Sequence, residues 1–231
     1  MKYFGQQQGN MHKQLSKMIY NPKNIDEAKQ LFLDMHTLLH LAMMTQTPKN
    51  ELDDLLSDLK NEEYAIMPTK QDETIAWVLW HTARIEDLTM GILVGQDKQI
   101  FNEEWQRKMK VKIKDTGNAL NDDEIMELSH QVDIPALLEY RNVVGRKTQQ
   151  IVCQLKAEDM HRPVSLEGIQ QIKEEGGVTS QDDSMWLLDY WGNKDVAGLL
   201  LMPASRHLIM HFNACAKWKE HIRTHNKFFR Q

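Results

Sequence analysis

Residues 203 to 225 read PASRHLIMHFNACAKWKEHIRTH. About six turns of helix can run here without a second proline or any glycine. A proline's missing N–H is harmless in a first turn, so Pro203 is expected to open the helix. His207 and His211 are four apart and lie one above the other on the same helical face. Two imidazoles so placed can bind one metal ion when a third ligand comes from another element. His81, inside ETIAWVLWHTARIEDL at residues 73–88, is the candidate for that third ligand.

Working outward, the same periodicity yields three more long helices. The first is expected from about Ile25 to Gln46, opened by Asn24 with Glu27 three residues on. Leu33, His36, His40, Met43 and Met44 then share one side of it, and Thr47-Pro48 ends it. The second runs from about Glu73 to Val94 after Asp72, with Ile75, Val78, Ile85, Leu88 and Ile92 forming a stripe interrupted by His81. Gly95 is its stop. The third follows Asp133-Ile-Pro135, an acidic cap with proline in the first turn, and reaches about Leu155. Gly145 inside it costs roughly 1 kcal/mol relative to alanine, which implies close packing against a neighbour.

Shorter helices are expected at 50–61, 102–110, 122–129, after Ser165, at 183–190 and at 195–201. Thr116-Gly-Asn is a turn. Residues 1–22 form a leading arm or short helix. No stretch alternates with period two, so no sheet is expected. The expectation is an all-α protein, a four-helix bundle with short helices in its connections, in a single domain spanning 1–231.

Composition narrows the function. Of the 231 residues 41% are hydrophobic and 26% charged, with a formal net charge of −5, values of an ordinary globular chain without the basic face of a nucleic-acid binder. No window resembles a membrane span or a signal peptide, and two distant cysteines, Cys153 and Cys215, make no disulfide framework. A cytoplasmic protein is expected, with no nucleic-acid or membrane partner. No phosphate-binding loop, dinucleotide fingerprint or nucleophile elbow is present.

The histidines carry what remains. Ten histidines give roughly half an (i, i+4) pair by chance, a count in the spirit of pattern matching. Three such pairs occur: His36/His40, His207/His211 and His221/His225. The last lies among Lys217, Lys219, Arg223 and Lys227 and reads as a solvated face. His36 and His40 are read as lining the same cavity as the metal ligands. Trp77 and Ile85, one turn either side of His81, are expected to line it too, and Arg84 to reach an anionic substrate group if turned inward. Glu86 is balanced between a surface position and a supporting hydrogen bond.

The order of long helices, the W-x-x-x-H-x-x-x-x-E pattern of Trp77, His81 and Glu86, and the late H-x-x-x-H resemble the DinB-like superfamily over roughly residues 25–225. That resemblance implies a divalent metal, nickel or zinc, on His81, His207 and His211, a small-molecule substrate and a homodimer. It also implies, for some members, a low-molecular-weight thiol as co-substrate. The expected activity is that of a thiol-dependent S-transferase or a hydrolase using metal-bound water. The rival is a non-enzymatic helical protein that binds a ligand or partner, its histidines buried as core residues. The chain departs from the family at Leu208 and at Asn213-Ala214, where members frequently have an acidic residue and Gly-Gln.

Overall fold

The computed structural model describes residues 3–225 and 227–231. Among them there is no strand, only isolated bridges from Met67 to Arg230 and from Pro163 to Asp195. The helices are α1 (Gln6–Met18), α2 (Ile25–Thr37), α3 (Glu51–Leu56), α4 (Ile75–Glu86), α5 (Glu103–Met109) and α6 (Asp122–Gln131). They continue with α7 (Ile134–Gln154), α8 (Leu166–Glu174), α9 (Asp182–Gly192), α10 (Val196–Leu201) and α11 (His207–Thr224). Helix α4 runs on through two π-helical turns, Asp87–Val94. The bundle consists of α2, α4, α7 and α11, with α4 packed against both α7 and α11, and α2 against α7. Every residue from Ile75 to Val94 is buried, so α4 is the central helix, hidden all round rather than along one stripe. Of the expected leading segment, residues 1 and 2 lie outside the described residues; the rest contains a helix, α1, which packs on α2 and buries Leu15 and Met18.

The first long helix is shorter than its periodicity suggests. It stops at Thr37, turns, and gives way to a 3₁₀ segment at Ala42–Met44. The amide of Asn50 donates to the carbonyls of Thr37 and His40, at 3.3 and 2.8 Å, and Asp53 accepts from the Ala42 N–H at 3.1 Å. Polar side chains of the next segment thus take the hydrogen bonds that a further turn would have used. Met43, expected on the inner side, is 70% exposed as a result.

Pro203 does not open a helix. It lies within a π turn, Met202–Arg206, that joins α10 to α11 without a break in the helical path. Proline has no N–H to give and disturbs the regular ladder. The Ser205 hydroxyl donates to the Leu200 carbonyl at 2.6 Å. Thr74 rather than Asp72 caps α4, Asn121 caps α6, which begins at Asp122, and Asn24 stands at the start of α2 as expected but its side chain makes no capping bond. Gly145 behaves as its position predicts: a Cβ there would stand 2.7 Å from the His40 ring and also meet the Met44 sulfur.

Candidate metal centre

Helices α4 and α11 cross so that His81, His207 and His211 meet. The Nε2 atoms of His81 and His207 are 3.2 Å apart, and those of His211 and His207 are 3.1 Å apart. All three ligand atoms lie within 4.8 Å of one another.

A loop preceding α6 fixes the first of these rings. Four consecutive carbonyls, from Lys114 to Gly117, each accept one side-chain hydrogen bond from α4. Lys114 accepts from Arg84 Nε (2.9 Å), Asp115 from Trp80 Nε1 (3.1 Å), Thr116 from His81 Nδ1 (2.9 Å) and Gly117 from Trp77 Nε1 (3.0 Å). The donors recur at helical spacing along one face of α4, so an extended loop can satisfy each in turn. The turn at its end needs Gly117, whose φ is +73° and which a residue with a Cβ rarely adopts. The Trp77 ring stacks on His81, centroids 4.4 Å apart and 10° between planes.

That carbonyl settles the chemistry of His81. Bonding to Thr116 requires a proton on Nδ1, so Nε2 presents a lone pair. His207 Nε2 then faces two other Nε2 atoms. If it carries a proton it can donate to His81 but accept nothing from His211; if it does not, it can accept from His211 but faces a lone pair on His81. Protons therefore satisfy one of the two short contacts and never both, whereas one cation satisfies both. The buried Nδ1 of His207 also lacks a partner. The donor set and spacing fit a divalent metal on three neutral imidazoles. Burial pushes the His81 pKa down to about 3 and that of His211 to about 4, and it holds His207 well below its usual value. At neutral pH all three are uncharged, the form that ligates.

A cavity of about 320 Å³ opens beside these rings. Trp77, Ile85 and the three histidines line one part, and Trp186, Leu187, Tyr190 and Trp191 of α9 another. Met202, Pro203 and Asn118 complete the wall. The α9 residues were not among those expected at the site; the signal available was the density of rings in SMWLLDYW, residues 184–191.

Three expected members stand elsewhere. His36 and His40 lie between α2, α4 and α7, outside the cavity. Their Nε2 atoms bond to the two oxygens of Glu86 at 2.8 and 3.1 Å, and the Thr148 hydroxyl donates to Glu86 at 2.7 Å. Glu86 is thus neither at the surface nor in support of His81, because five residues turn it roughly 140° around α4. Arg84 faces away from the cavity. Besides the Lys114 carbonyl it donates to Asp87 (3.1 Å), the Tyr140 hydroxyl (2.9 Å) and Gln99 (2.7 Å); Arg84, Asp87 and Tyr140 are buried, and a free substrate could not easily displace such a set.

The second cluster has its own charge balance. Burial raises the Glu86 pKa, but His40 and His36 outweigh it and hold the carboxyl well below its ordinary value. Burial lowers His40 to about 4. Arg141, also fully buried, is lowered by burial to about 10 and supported by Glu86. The result is an ionised carboxylate, a cation and a neutral His40 ring.

Among known families, the sequence model of the DinB superfamily matches residues 43–177, more than half of the chain. The match contains His81 and Glu86 and ends before His207 and His211. No curated protein matches the chain.

Proposed function

The chain belongs to the DinB superfamily, and from that premise we propose that it is a metal-dependent enzyme acting on a small molecule, with His81, His207 and His211 as the ligands of one divalent ion. The observation that carries this reading is the meeting of three Nε2 atoms whose short contacts protons alone cannot satisfy. A divalent ion bound there, nickel or zinc by family likeness, acts as a Lewis acid and lowers the pKa of a ligated water or thiol, which supplies a nucleophile near neutral pH.

The protein's own residues do the rest. Thr116 holds the proton of His81 on Nδ1 and so aims Nε2 at the site, as an outer partner does in metal centres generally. Trp77 fixes the plane of that ring by stacking. The apolar cavity walls orient the substrate and exclude bulk water. Among the described residues the cavity lining holds no carboxylate. The nucleophile would be generated at the histidines, for a hydrolysis or the transfer of a group to a thiol. The same reading takes the chain as one domain that pairs as a homodimer in the cytoplasm. None of its described helices is long and apolar enough to cross a membrane.

Elemental analysis of the purified protein tests this reading. Close to one equivalent of divalent metal per chain is expected, and His207→Ala should reduce it below about a tenth. Protein that takes up no metal, with a thermal transition indifferent to chelator, refutes it.

A further inference from the structure

The geometry points to a substrate whose body is a flat, uncharged aromatic or similarly apolar ring system, entering the cavity with its reacting polar atom toward the histidines. This deepens the metal reading of the same cavity and rests on it for the orientation alone.

The walls carry the inference. Trp77, Trp186, Tyr190 and Trp191 bring four aromatic side chains to a space of about 320 Å³, near the lower end of small-molecule pockets, roughly 300–1,000 Å³. Ile85 and Leu187 add aliphatic surface. Trp191 is buried, but Trp186 stands 48% exposed. A large ring left half in water beside a cavity gains from a ligand that covers it, and aromatic partners do so in offset or edge-to-face contact.

Charge is missing from the same walls. Apart from the histidines, the polar lining is Asn118 and the Tyr190 hydroxyl. The Asn118 amide already donates to the Asp183 carbonyl. Two cations close to the walls stay outside the lining: Arg84 within its buried network, and Lys194 over the Tyr190 ring, 4.5 Å from its centroid. A ligand with carboxylates or an ammonium remote from its reacting atom would bury them without partners, at a cost that selects against it.

Three probes test this by isothermal titration, with metal content measured on the same samples. Benzyl mercaptan and glutathione both offer a thiol, but only glutathione carries remote charges; indole is a neutral ring with no thiol. Indole and benzyl mercaptan are expected to bind with a negative heat-capacity change, and glutathione at least tenfold more weakly than benzyl mercaptan. Trp186→Ala should weaken benzyl mercaptan roughly tenfold at unchanged metal content. Trp186→Arg, which brings a cation to the wall, should shrink the preference over glutathione. Tyr190→Leu repeats the test from a second ring, should the first variant fold poorly.

Glutathione binding as tightly as benzyl mercaptan overturns the inference, as does a Trp186→Ala protein of unchanged affinity. Metal-free protein that still binds indole would refute the metal reading and leave this one standing. Metal-loaded protein that binds neither ring probe would do the reverse.

Discussion

Two clusters of histidine occupy different faces of α4, and they are wired in opposite senses. At His81 the outer nitrogen is tied to a carbonyl, and the inner nitrogens converge on one another. At Glu86 the inner nitrogens of His36 and His40 point at a carboxylate, which also accepts from Thr148, while both outer nitrogens lack partners. The first arrangement collects lone pairs; the second collects N–H donors around an anion. Both bring three potential ligands within 4.8 Å, so proximity alone does not separate them. Proton placement and charge do. A divalent ion at Glu86 would leave two buried ring N–H groups without acceptors, against one at His207 in the other cluster, and would add positive charge near the buried Arg141, a cation with no counterpart in the cavity lining. On the proposed reading, similar residue lists serve different ends, metal capture in one place and cohesion of the bundle in the other.

The sharpest test exchanges the two losses. Glu86→Ala leaves Arg141 as an uncompensated buried charge and is expected to destabilise the fold by about 3–5 kcal/mol, read by denaturant titration, with metal content still one equivalent. His211→Ala should do the opposite, abolishing the rise in melting temperature on adding zinc, since only native protein that binds the ion gains from it. A stoichiometry of two metals per chain, or loss of all metal in the Glu86 variant, would erase the distinction.

Smaller effects sharpen it. Gly145→Ala forces a methyl group into the His40 ring and the Met44 sulfur and should cost about 1–3 kcal/mol without altering metal content. Acid should expose the second cluster as well. His40 has a folded pKa of about 4 against an ordinary 6.5, so the unfolded chain binds more protons between those values. Stability of the metal-free protein is then expected to fall as pH drops from about 6.5 to 4. The lowered Glu86 acts with the same sign, its contribution present above about pH 4.5 and lost in stronger acid. His40→Gln should flatten this slope in melting curves recorded across that range. Asn50→Ala, which frees the carbonyls ending α2 and also uncaps α3, is expected to cost about 1 kcal/mol.

Much of the bundle was legible because helical spacing is a local property. The stripe of α4, the proline start of α7 and the four-residue interval of His207 and His211 each sit within a few turns of chain. Gly145 declared its close neighbour by being where glycine is costly. The partners of these elements were not legible, since they come from remote segments. Thr116 reads as part of a turn, and nothing local says that its carbonyl holds His81. Glu86 reads as a charge near a histidine, although its histidines are 46 and 50 residues away. The length of α2 is not legible for the same reason: Asn50 and Asp53 end it from outside. Trp186 and Tyr190 announce themselves only as a dense run of rings, which by itself does not tell a cavity wall from core filling.

The wide turn at Met202–Arg206 sets the angular phase of everything after it. An α-helix advances about 100° per residue, and a π turn takes up about one residue more than an α turn. Wound as regular α-helix, the same five residues would rotate the downstream face by about 100° relative to the apolar positions of α10. Both helices could remain intact in sequence terms, yet the two late imidazoles would swing away from His81. One extra residue between 206 and 207, with the wide turn kept, has the same effect and unmakes the centre while keeping every one of its ligands.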